Sequence, residues 1–92
     1  MQSAPTAMKW YTLAAEQGHT KAQFGLGAMH ALGESVPVNY VYAYMWMSIS
    51  ASLGDTNASE SLRSIESEMT PEQIEEAKRR AIECTEKNYK GC

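Results

Sequence analysis

Apolar residues recur along this chain at helical spacing. Ala7, Trp10 and Ala14, continued one turn on by Gln17, follow the i, i+3, i+7, i+10 pattern that lines one face of a helix. Ala22, Leu26 and Met29 repeat it at i, i+4, i+7. Breaks fall where the chemistry calls for them. Gly18 and Gly54 suit the left-handed position that ends a helix without a Cβ clash. Gly33-Glu34-Ser35-Val36-Pro37 holds a proline that cannot continue a helix, and Asn39 beyond it is a good N-cap. The sharpest start is Thr70-Pro71-Glu72-Gln73, a capping box with proline at the first helical position. The pattern predicts five helices, over about 4–17, 19–32, 39–53, 55–68 and 71–88. With such short connections, successive helices should be antiparallel neighbours.

The same pattern occurs twice. Shifted by 36 residues, Ala7 falls on Ala43, Trp10 on Trp46, Ala15 on Ala51 and Gly18 on Gly54. Thr20, Ala22 and Leu26 fall on Thr56, Ala58 and Leu62, making 7 identities in 23 aligned pairs. Ordinary composition gives about one or two by chance. The matches concentrate on small, apolar and glycine positions while exposed ones drift, as in a repeat held by packing.

These residues carry a resemblance. Ala7-x-x-Trp10-Tyr11-x-x-Ala14-Ala15-Glu16-Gln17-Gly18, followed by Ala22-x-x-x-Leu26-Gly27-x-Met29, resembles the Sel1-like repeat of the tetratricopeptide clan. Gly33-x-x-Val36-Pro37-x-x-Tyr40-x-x-Ala43-x-x-Trp46 extends the likeness, which covers about residues 4–65. Met69 to Gln73 resembles the closing helix of such arrays. The resemblance implies an all-α, α-α superhelical solenoid of antiparallel helix pairs with a C-terminal capping helix. It divides the chain into an incomplete unit over 4–18, a full unit over 19–54 and a terminal unit over 55–90. It also implies a scaffold or adaptor that binds protein, with the first helix of each unit lining a concave face. Lys21, Phe24, Gly25, Ala28, Glu60 and Ser64 are the expected contact residues there. A bacterial protein is implied, cytoplasmic, or periplasmic should a longer parent carry a leader.

Three positions depart from the family pattern. His30 stands where tyrosine is usual, Ser35 replaces a common glycine, and Arg63 replaces the glycine equivalent to Gly27. Gly27 would let a neighbouring backbone approach closely, and a long charged side chain at the equivalent place forbids this. The regular stack is therefore expected to stop there. The last helix agrees, with a thin apolar stripe of Ile74, Ala77 and Ala81, Ile82 beside it, and charge elsewhere, as a terminal unit needs. The opposite end is expected to be open, since no preceding helix covers Trp10 and Tyr11. A solenoid unit cannot bury its faces alone, so these two are candidates for self-association or partner contact.

Composition narrows the functions. Eleven acidic residues against eight basic give a net charge of −3, the wrong balance for displacing counterions from nucleic acid. The longest apolar stretch, Tyr40 to Met47, is far short of the roughly 20 residues a membrane helix needs. No leader with a cleavage site is visible, and Met1–Thr6 is polar and unpatterned.

Candidate chemistry is sparse. His19 and His30 stand eleven residues apart, about 16 Å along a helix, too far to share a metal ion. The first is expected at a helix start and the second at a packed boundary. Gly25-x-Gly27 lies inside a helical pattern and is no dinucleotide fingerprint. Glu75–Arg79, Glu76–Arg80 and Glu83–Lys87 are spaced as ion pairs on a solvated face, each worth only a few tenths of a kcal/mol. The aromatic run from Tyr40 to Met47 is expected to be a central helix covered on several sides, with one or two of its tyrosines exposed. No catalytic residue, metal ligand or cofactor is expected. The rival from another class is a small-ligand or hydrolytic pocket between helices.

Cys84 and Cys92 are the two cysteines. On a straight helix they would stand about 12 Å apart, beyond the ~7 Å that a disulfide allows. A bridge needs the helix to stop near Asn88 and the tail to fold back, which Asn88 and Gly91 would tolerate. Two free thiols in a reduced compartment are the alternative.

Overall fold

The computed structural model describes residues 4–34 and 36–92, with only the backbone described for residues 4–6. Met1–Ser3 lie outside the described residues, as does Ser35, whose replacement of a family glycine thus has no structural account. Five helices follow one another: α1 Ala4–Glu16, α2 Thr20–Leu32, α3 Tyr40–Ser52, α4 Thr56–Glu66 and α5 Pro71–Glu86. Among the described residues there is no strand. The chain is an α-α superhelix.

Local chemistry sets several of the boundaries. Asn39 caps α3 by accepting from the Tyr42 amide at 3.0 Å, and Asp55 caps α4 through the Ala58 amide at 3.0 Å. Thr70 and Gln73 form the reciprocal capping box of α5 at 3.2 and 2.9 Å. Gly18 and Gly54 take φ of 88° and 106°, values that any side chain would strain.

The first four helices zigzag. The Ser50 hydroxyl at the end of α3 donates to the Thr20 carbonyl at the start of α2 at 2.8 Å. At the opposite end, the Asn39 amide donates to the His30 carbonyl. The α2/α3 pair is therefore antiparallel. Buried Gln23 donates to the Ala15 carbonyl at 3.2 Å, tying the start of α2 to the end of α1. The hydroxyl of buried Tyr44, early in α3, donates 2.6 Å to Glu66 at the end of α4.

Gly27 lets α2 and α3 approach closely. A Cβ there would stand 2.8 Å from Met47 Cγ and 3.0 Å from the Ala43 carbonyl oxygen. Leu26, Trp46 and Ile49 fill the space alongside, and full burial of an aliphatic side chain such as Leu26 contributes about 1.5–3 kcal/mol. Arg63, the equivalent of Gly27, is exposed.

The last helix departs from the simple zigzag. α5 packs principally on α3 rather than on α4, which corrects the expectation that every successive pair would be neighbours. The physical reason lies in the helix surfaces. α4 is polar and buries only Ala58 and Ile65, whereas α3 is apolar nearly all round and buries seven residues. α5 meets α3 through the small residues Ala77, Ala81 and Cys84. Ile82, expected beside the stripe, is 63% exposed, and Cys84 takes the buried place.

The two tryptophans share a repeat position and differ in cover. Trp46 is 1% exposed, packed among Leu26 of α2 and Ala81 and Cys84 of α5, while Trp10 is 56% exposed. Tyr40 and Tyr42 are half-buried at the edge of α3.

Candidate protein-interaction surface

A groove runs along α2, walled by α1 on one side and α4 on the other. Two adjoining depressions, of about 220 and 290 Å³, share Ala28 and Leu32. The first brings Phe24 together with Ser61, Ser64 and Ile65 of α4. The second brings Gly25 together with Ala7 and Tyr11 of α1. Gly25, Ala28 and Leu32 follow i, i+3, i+7 and so present one face of α2.

Small side chains make the depressions. Gly25 and Ala28 fall on Ser61 and Ser64 at the 36-residue shift, so both first helices of the repeat put small residues at the same two places. Larger apolar groups border them. Leu32 is 69% exposed, and the Tyr11 ring lies flat enough on Gly25 that a Cβ there would be 3.4 Å away. Behind the wall, the Tyr44–Glu66 hydrogen bond holds the end of α4 against α3. Burial, together with the Glu66 carboxylate, pushes the Tyr44 phenol well above its ordinary 10.0. It therefore remains a donor throughout the range where proteins are stable.

Of the residues expected on the binding face, Phe24, Gly25, Ala28 and Ser64 line the groove. Lys21 and Glu60 are exposed and line neither depression. Tyr11, expected at the open end with Trp10, lies in the groove as well. Leu32, Ser61 and Ile65 were not expected there. The 36-residue shift could have found Ser61 through Gly25, whereas no local signal singles out Leu32.

The histidines stand apart. His19 is exposed at the N-cap of α2, with no side-chain cap bond. His30 meets the Tyr42 ring edge-on at 4.4 Å between centroids. Burial lowers its imidazole below the ordinary 6.5, and Nδ1 is buried without a partner. Among the described residues, no group of three or more His, Cys, Asp or Glu could hold a metal ion. No helix of theirs is long and apolar enough to cross a membrane. Only Glu76–Arg80, at 2.7 Å, forms an ion pair among them. The other two expected pairs stay apart, as exposed pairs in competition with water commonly do.

Beyond α5 the tail folds back and a disulfide joins Cys84 to Cys92, with Cα atoms 5.6 Å apart. Asn88 and Tyr89 make the reversal at φ of 55° and 66°. The tail reaches α1, where the Tyr89 ring lies beside Gly18 and Lys90 Nζ donates to the Glu16 carbonyl at 3.0 Å.

Antiparallel helical hairpins, repeated at a fixed period around a groove of small residues, define the class of α-α repeat proteins. The Sel1 repeat model matches residues 2–19 and 20–55, and the chain belongs to the Sel1 repeat family. Sel1 repeats are generally protein-interaction modules of a non-catalytic scaffold type. The match stops just short of α4, beyond which the helix pairing departs from the zigzag. No curated protein matches the chain.

Proposed function

We propose that this chain is a scaffold or adaptor module that takes an apolar segment of a partner protein into the groove along α2. The observation that carries the reading is Leu32, 69% exposed beside the small residues Gly25 and Ala28. An aliphatic side chain left open over a shallow apolar floor offers an anchor, and few anchors carry most of a binding energy. Phe24 and Ser64 lie on the same floor, and Lys21 and Glu60 stand at exposed positions where charge would select among partners. The division into an incomplete unit over 4–18, a full unit over 19–54 and a terminal unit over 55–90 belongs to the same reading.

The test is a peptide selection. Peptides enriched on the wild-type chain should shift the amides of Phe24, Ala28, Ser61 and Ser64 in a heteronuclear titration. Ala28→Arg should abolish binding in a variant that still melts cooperatively, at a lower temperature because Ala28 also packs on the core. Charge reversal at Lys21 and Glu60 should alter which peptides are enriched. Shifts confined to other helices, or undiminished binding by Ala28→Arg, would overturn the assignment.

The open face of α1 supports a second contact. Trp10 is 56% and Leu13 46% exposed, and their equivalents Trp46 and Ile49 lie in the core. We assign Trp10, with Tyr11 at its margin, to self-association or to a second partner contact. A strictly monomeric species at high concentration, by gel filtration with light scattering, together with no partner shifts on α1, would remove this part.

A further inference from the structure

The tail beyond α5 is held in a shape it would not keep alone. Asn88 and Tyr89 both occupy the left-handed region, which residues with a Cβ adopt rarely and at a cost. Two in succession persist only where the surroundings over-determine them. Here the Tyr89 amide bonds the Cys84 carbonyl at 2.9 Å, its ring lies beside Gly18, and Lys90 reaches Glu16. The Cys84–Cys92 bridge is the one covalent restraint among these.

A cleft of about 280 Å³ opens beside the bridge, lined by both cysteines together with Arg79, Arg80, Lys87 and Glu83. Three cations face one carboxylate. Arg80 is paired with Glu76, while Arg79 and Lys87 have no ion pair among the described residues. Cys84 is 1% exposed and Cys92 is half-buried, so Cys92 is the more open residue of the pair. Thiol–disulfide exchange depends on access to the attacked sulfur and on how easily the other leaves. Neighbouring cations favour a departing thiolate.

We propose that this cleft is a thiol–disulfide exchange site for a small acidic thiol of the glutathione kind, and that exchange there releases the tail from α1. The thiolate of the small thiol attacks Cys92 Sγ. A new S–S bond forms there as the Cys84–Cys92 bond breaks, and the electron pair leaves on Cys84 Sγ, which takes a proton from water. A second molecule of the small thiol attacks its own kind in the mixed disulfide, and Cys92 leaves as a thiol. Two small thiols are oxidised to their disulfide as one protein bridge is reduced. Without the bridge, Asn88 and Tyr89 relax, the Tyr89 ring leaves Gly18 and Lys90 leaves Glu16. This inference is independent of the groove.

The intact chain is treated at low ionic strength with equal thiolate concentrations of glutathione, 2-mercaptoethanol and cysteamine, which are anionic, neutral and cationic. Opening of the bridge is followed by alkylation and mass spectrometry. Glutathione is expected to react about tenfold faster than cysteamine, the lower end of electrostatic steering effects. The order should collapse in high salt and reverse in the Arg79→Glu, Lys87→Glu double variant, and the trapped adduct should sit on Cys92. Equal rates for the three reagents, or an adduct on Cys84, would overturn the exchange site. Hydrogen exchange tests the release, since the Gly18 and His19 amides bond Ala15 and Ala14 carbonyls at 3.0 and 3.2 Å. These amides should lose protection on reduction, and in Cys92→Ser without any reagent. Unchanged protection in both would overturn the release.

Discussion

Lys90 donates a 3.0 Å hydrogen bond from its ammonium to the main-chain carbonyl of Glu16, joining positions 74 residues apart. α1 has no basic residue in its own last turn, so the cation that complements its C-terminal carbonyls comes from the far end of the chain. The disulfide shapes the tail that delivers it.

Two variants separate these contributions. Lys90→Met should cost about 0.3–1 kcal/mol, an effect that salt screens. Cys92→Ser should cost more, about 2–3 kcal/mol, because closing even a short loop restricts the unfolded chain, and added salt should leave that difference in place. Urea denaturation at two salt concentrations reads both. Equal, salt-sensitive losses would mean that the bridge acts only by placing Lys90.

Gly27 and Gly25 lie two residues apart and should respond oppositely to alanine. At Gly27 a methyl would meet Met47 Cγ at 2.8 Å and the Ala43 carbonyl oxygen at 3.0 Å. Met47 can bend aside, but the carbonyl belongs to the α3 backbone, so Gly27→Ala should destabilise by about 1–3 kcal/mol. At Gly25 the nearest atom is the Tyr11 ring at 3.4 Å. Gly25→Ala should be neutral or stabilise by up to about 1 kcal/mol through reduced freedom of the unfolded chain. Denaturation midpoints decide.

Tyr44→Phe should cost about 1.5–3 kcal/mol, the usual value of a hydrogen bond to a charged group. The phenol also predicts an alkaline limb. Its folded pKa is raised above the ordinary 10.0, so this contribution is intact below about pH 10 and is lost as pH climbs further, where the unfolded chain sheds its proton first. In an ultraviolet titration, one of the five tyrosines should ionise only with unfolding. Simultaneous ionisation of all five in the folded protein would contradict this.

His30 should contribute to an acid limb. Its folded pKa is lowered below 6.5 by burial, so the unfolded chain binds the proton more readily. Stability is therefore full above about pH 6.5 and falls as pH drops toward the folded pKa. Replacing His30 with tyrosine should flatten the melting temperature between about pH 5 and 7. A variant with the wild-type slope would assign the loss to other groups.

Much of this architecture was legible in the residues themselves, because helix boundaries are local chemistry. Gly18, Asn39, Gly54 and the Thr70–Gln73 box mark their ends or starts without reference to the rest of the chain. The position of α5 was not legible in the same way. Nothing in its own pattern distinguishes docking on α3 from docking on α4, since the choice depends on which neighbour offers apolar surface. The face carrying Ala77 and Ala81 does turn inward, and Cys84, three residues beyond Ala81, extends it, a role that a cysteine so close to the chain's second cysteine does not announce. Four groove positions, Phe24, Gly25, Ala28 and Ser64, were legible through the family resemblance. Leu32 was not, because an exposed leucine at a helix end gains meaning only beside the walls that α1 and α4 supply.

Repeat arrays commonly unravel piecemeal, since each unit touches only the next. The course of α5 forbids that here. Its first half joins the cluster around Tyr44 and Ile65, and its second half joins the one around Leu26 and Trp46. Peeling away either hairpin therefore strips cover from a helix that the other also needs. Heat or urea should melt the molecule in a single cooperative transition, with calorimetric and van't Hoff enthalpies in agreement.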